Sequence, residues 1–225
     1  MPDPIFDDDH AGDLLKMRTA HLGELAQAVS HDPDMRPLVR TVSQALDQAA
    51  ASADSATARR KALAEDDLTP REGRERLSRE AMDKGRSTVT RSLEQADAGL
   101  AAMEARLRAR SLPKAPSDRA EDHARQELPL LLANTSDPLS VLIKIATGDD
   151  EALAAVAVGR LGRSLLAKAD PDADHSAVID AALGAAARSS SPDRKKAAAA
   201  LAAVKVAGAK ARGIVANGTA MRFDD

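Results

Sequence analysis

The chain has 225 residues, no Cys, Trp or Tyr, and a formal net charge of −3 from 32 basic and 35 acidic side chains. Lack of Cys excludes disulfides, thiolate metal sites and cysteine catalysis, and the interspersed charges give no global pull toward nucleic acid or an anionic membrane. Phe6 and Phe223 are the only aromatics, so a core must be built from Ala, Leu, Val, Ile and Met, the smallest of which bury little area at about 25 cal/mol per Å².

Long helices, close packing or oligomer contacts must make up that deficit. Helix formers dominate and β-formers are too sparse for a sheet, which predicts an all-α fold. Residues 1–11 read as a tail, with Pro2, Pro4 and the run Asp7-Asp8-Asp9 opposing packing. A first helix is predicted from about Asp13 to Val29, broken by Asp32-Pro33. The second runs from Pro33 or Asp34 to about Glu65 on a thin stripe of Leu46, Ala49, Ala53, Ala56 and Leu63. Thr69, Pro70 and Glu72 form a capping box with proline. The third helix then runs to about Leu112, ~60 Å at the standard rise.

Pro113 and Pro116 mark the predicted boundary between a hairpin-bearing region, 1–112, and a bundle of shorter helices, 113–225. In the second region Pro129 is expected to kink or end the fourth helix. Asp137-Pro138 starts a fifth, and Asp149 or Asp150 caps a sixth. Asp170-Pro171 begins a seventh, and Ser191-Pro192 an eighth that ends at Asn217-Gly218. On that last helix Ala197, Leu201, Val204, Gly208, Ala211 and Val215 form a small-residue seam that requires a close neighbour.

The clearest pattern is the heptad seam of the third helix: Met82, Val89, Leu93, Ala96, Leu100, Met103 and Leu107. The short connection before it makes the second and third helices antiparallel neighbours in a coiled-coil-like hairpin. Folding about residues 67 and 68 sets residue i against about 135 − i, with Asp34 opposite Ala101. The third helix then overhangs by about ten residues, or ~15 Å. Leu93, Leu100, Met103 and Leu107 are therefore candidate interface residues, covered by the rest of the chain or by a neighbouring copy.

Candidate chemistry is sparse. Asp170, Asp172 and Asp174 have the opening spacing of a calcium loop, but His175 and Ala181 stand where glycine and glutamate are needed. His10, His21, His31, His123 and His175 show no metal-binding spacing. Nucleophile elbows and phosphate loops are missing, and Gly159 and Gly162 read as helix packing contacts. Paired acids such as Asp66-Asp67 sit where helices begin and complement the dipole. Arg194, Lys205 and Arg212 fall in one stripe of the last helix, a candidate for weak, non-specific contact with a phosphate backbone. The reading is a protein without enzymatic chemistry and without a cofactor.

The segment Leu68-Thr69-Pro70-Arg71-Glu72-Gly73-Arg74 and the charged helix after it resemble helical proteins of the structural gene modules of tailed bacteriophages. The resemblance spans residues 66–112 and transfers no catalytic or binding residue. It implies a virion component or assembly protein (capsid-associated, neck, scaffold-like or tail-associated) whose partners are itself or other structural proteins. A cytosolic bacterial coiled-coil adaptor is the alternative, and a DNA-contacting regulator a further one. Met1 to His10 lack a signal-peptide pattern, and the most apolar stretch, Ala197 to Val215, is interrupted by Lys205, Lys210 and Arg212. The expected location is a virion or host cytoplasm, not a membrane.

Overall fold

The computed structural model describes residues 8–133 and 135–224, which are all-α with no strand among them. The helices are α1 (Asp8–Ala28), α2 (Arg36–Ala64), α3 (Arg71–Ser111), α4 (Asp118–Ala133), α5 (Pro138–Ala146), α6 (Glu151–Val158), α7 (Arg160–Ala169), α8 (Ser176–Ala185) and α9 (Pro192–Asp224). Short 3₁₀ turns lie at Pro33–Met35 and Ala186–Arg188. None of the described helices is long and apolar enough to cross a membrane. Most of the predicted tail lies outside the described residues, and α1 begins at Asp8, earlier than predicted.

Two compact units divide the chain differently from the expected cut at residues 112 and 113. One comprises residues 1–104 with 202–225, and the other residues 105–201. The reason is the last helix, whose second half packs with the N-terminal helices, so that residues 105–201 are an insertion in the first unit.

The first unit holds α1, α2, most of α3 and the second half of α9. Arg18 of α1 pairs with Asp47 of α2 at 3.0 Å. At Gly99 a Cβ would lie 2.7 Å from Val42 Cγ2, and at Gly85 one would lie 2.6 Å from Ala56 Cβ. These two contacts make α2 and α3 antiparallel, residue i facing 141 − i at both. The register thus departs from the predicted 135 − i. Its cause is the connection: Arg74 Nη1 donates to the carbonyls of Ala64 and Asp66, at 3.4 and 3.0 Å, and seats the start of α3 across the end of α2. The expected overhang shrinks accordingly, and Met103 falls level with Leu38 inside the span of α2.

α9 lies antiparallel to α3. A Cβ at Gly208 would lie 2.5 Å from Leu100 Cδ2, Arg212 grips Asp97 through two bonds of 3.0 and 3.1 Å, and Arg86 Nη2 donates to the Phe223 carbonyl at 2.7 Å. The small-residue seam predicted for the last helix therefore has its close neighbour, which is α3 of the same chain. Val204, Ala211 and Val215 are buried along it. The stripe continues through buried Thr219 and Phe223, which is why α9 does not stop at Asn217-Gly218.

In the second unit a core of Ala124, Leu128, Leu142, Val156, Leu166 and Val178 joins α4 to α8. α4 runs through Pro129 instead of ending there. Ala124, Leu128 and Leu132 are buried at helical spacing on both sides of the proline, and that packing outweighs one lost backbone bond. Asp137 and Asp150 cap α5 and α6 as predicted, accepting from the amides of Ser140 and of Ala152 and Leu153. The predicted sixth helix is two. Gly159 is extended and ends α6, and at Gly162 a Cβ would lie 2.0 Å from the Ala157 carbonyl oxygen. Only glycine permits that close turn into α7. α8 begins at Ser176, because Asp170 and Asp174 accept from the amides of Asp172 and Ser176 and spend the acidic stretch on a turn.

Leu100, Met103 and Leu107 are 8, 0 and 1 % exposed within the single chain, and Leu93 is half-buried. The seam is thus satisfied internally. Leu107→Asp should act on stability: a loss of about 3–5 kcal/mol is expected from the cavity and the buried carboxylate. Denaturant titration checks it, and a variant as stable as the parent would show Leu107 to be unpacked.

Candidate functional site

The nucleic-acid stripe comes apart in three dimensions. Arg194 is 4 % exposed. Its Nε donates to the Ser111 carbonyl at 2.8 Å, Nη1 to Glu151 Oε1 at 2.9 Å and Nη2 to the Ala182 carbonyl at 2.8 Å. Ser189 donates to the same Glu151 oxygen at 2.7 Å. A guanidinium used this way cannot reach a phosphate. Arg212 is held by Asp97, so Lys205 alone keeps an open charge from the stripe. Sequence spacing could not show that Arg194 is buried among residues 105–201.

The histidines also serve locally. His21 bonds Glu24 at 2.9 Å, His123 pairs with Glu127 at 3.5 Å, and the His175 ring bonds the Ala157 carbonyl at 2.9 Å. His31 is exposed, and the His10 side chain lies outside the described residues. No group of three or more His, Asp or Glu is placed to hold a metal among the described residues.

A different site emerges at the connection between α2 and α3. Asp66 organises it: one carboxylate oxygen accepts the Leu68 amide at 2.9 Å and the other the Thr69 hydroxyl at 2.6 Å. Thr69 thus donates its hydroxyl to Asp66, where the sequence predicted it as the helix cap. The turn leaves Leu68 96 % exposed. Beside it the last turn of α2 and the first turns of α3 enclose a cleft of about 640 Å³, floored by Leu63 and lined by Arg60, Arg71, Arg74 and Arg79. Glu75 is the one carboxylate among the lining residues. A hydrogen bond from Arg71 holds its carboxyl below the ordinary glutamate range, helped by the charges of Arg71 and Arg79. Arg74 is occupied by backbone carbonyls. Arg60 makes no hydrogen bond or ion pair among the described residues, so the cleft keeps an excess of positive charge. The sequence signal for it is Arg60, which falls between Ala56 and Leu63 in the apolar stripe of α2.

No protein-family model, no curated protein and no solved structure matches this chain.

Two outcomes follow from this geometry. Arg194→Ala takes the guanidinium partner from the Ser111 and Ala182 carbonyls and from the Glu151 carboxylate, and unfolding should be easier by about 3–5 kcal/mol, whereas Lys205→Ala should stay within about 0.5 kcal/mol of the parent. Chemical denaturation of both variants checks this. Hydrogen bonds from Thr69 and from the Leu68 amide depress the Asp66 carboxyl below the ordinary aspartate range. The unfolded chain therefore takes up this proton first as pH falls, so the contribution of Asp66 to stability is present above its unfolded pKa and disappears as pH drops through the folded value. NMR titration should show Asp66 titrating below an ordinary aspartate, and Thr69→Ala should move it upward.

Proposed function

We propose that this chain is a non-enzymatic helical structural or assembly protein and a component of a phage particle, working by docking through the end of the α2–α3 hairpin. The observation that carries the reading is the pairing there of Leu68, almost wholly in solvent, with a cleft ringed by four arginines. A lone exposed leucine is ordinary on a protein surface. One held outward by a fixed turn, beside a cleft with excess positive charge, suits an acidic segment of a neighbouring structural protein. Such a segment buries the leucine side chain and sets carboxylates against guanidinium groups, which bind them in planar pairs.

Two further points support it. The stretch that resembles phage structural proteins, residues 66–112, contains this connection. Apart from half-buried Leu93, the large apolar residues of the heptad seam are covered within the chain, which favours the hairpin end as the surface that meets a partner.

The test uses particles purified from the source culture. Mass spectrometry should find the chain at a fixed ratio to the major particle proteins. The double variant Leu68→Asp with Arg60→Glu, folded by circular dichroism, should be lost from the particles at least about tenfold, as expected for one charge-assisted contact and one buried leucine. Wild-type chain that stays in the cell extract and never enters particles would overturn the particle assignment in favour of a cellular adaptor. A variant incorporated as well as the parent would overturn the docking site.

A further inference from the structure

In the unit of residues 105–201, α7 and the start of α8 border a second cavity of about 640 Å³. Its size is that of a small-molecule site, for which about 300–1,000 Å³ is usual. Val158, Leu166, Ala173 and Ile179 give it an apolar lining, with Leu166 fully buried in the core beneath. Arg160 and Arg163 also line it. They stand three residues apart, hence on one face of α7. Neither side chain makes a hydrogen bond or ion pair among the described residues, and both are exposed, although the Arg163 charge helps to lower the Asp174 carboxyl.

The remaining polar groups narrow the ligand. His175 is buried and its Nε2 meets the Ala157 carbonyl at 2.9 Å. A carbonyl only accepts, so Nε2 carries the proton and the ring is fixed in place. The Asp174 carboxylate accepts from both the amide and the hydroxyl of Ser176, which keep it ionised, and it lies among the lining residues. Two arginines less one aspartate leave a single net positive charge in the lining. A dianion such as phosphate would meet Asp174, and a cation would meet the arginines.

We infer that this cavity binds a small organic monocarboxylate with an apolar body. The two guanidinium groups hold the carboxylate, for which their planar donor pairs are suited. The apolar body lies against Val158, Leu166, Ala173 and Ile179.

The probe is octanoate titrated into the full chain by calorimetry, with octanol, octylamine and inorganic phosphate as comparisons. Octanoate should bind more tightly than all three. Replacing both arginines, Arg160→Ala with Arg163→Ala, should weaken it by about tenfold or more, the usual effect of losing charge-assisted hydrogen bonds. Ala167→Trp, at an exposed lining position, should block binding by filling the cavity, and serves as the deciding variant if the arginine pair proves unfolded by circular dichroism. Octanoate binding no tighter than octanol, binding unchanged in the folded double variant or in Ala167→Trp, phosphate binding tighter than octanoate, or no octanoate binding at all would overturn the inference.

Discussion

Close approach between helix backbones governs the first unit, and it follows from the small size of the available side chains. With Phe223 as the one aromatic among the described residues, apolar area cannot be accumulated by a few large groups, so contact must come from short distances along whole helices. At Gly85, Gly99 and Gly208 the neighbours stand where even a methyl group would clash. The alanines of α2 do the same more gently, with Ala45, Ala49, Ala53 and Ala56 all buried. Phe223 is placed by this rule too: its ring edge fills the space beside Gly85, and its face lies 5.6 Å under the Arg86 guanidinium.

The second unit solves a different problem. Its helices α5 to α8 run eight to ten residues, too short to be stable alone, and their ends bring many backbone carbonyls together. Arg194 answers that need with one side chain: its three kinds of nitrogen satisfy the end of α3, a carbonyl of α8 and the first-turn glutamate of α6. Lysine could not replace it, because a point charge lacks the rigid fork that reaches three acceptors at once. A buried cation of this kind specifies where helix ends meet more than it adds to stability.

These two solutions decide which side chains stay accessible. Of the residues that looked available in the sequence, Leu100, Met103 and Leu107 of the α3 seam are buried, and Arg194 and Arg212 of the α9 stripe are held by partners. Among the side chains left accessible are a leucine and arginines at a hairpin end whose turn is locked by Asp66, and two arginines at the rim of a cavity.

Local signals were legible in the amino-acid order. The all-α class, the breaks at Asp32-Pro33 and Pro113, the caps at Asp137 and Asp150, and the apolar faces of α2, α3 and α9 depend on interactions within a few residues, which sequence spacing reports directly. Where packing opposed a local preference, helices run on: α9 passes Asn217-Gly218, where the sequence predicted its end, and α4 continues beyond Pro129, because buried residues on both sides hold them there. The helix register, the return of α9 to the N-terminal helices and the burial of Arg194 were decided only by tertiary structure. Each joins residues tens of positions apart or more, and periodicity says which face of a helix is apolar without saying what will cover it.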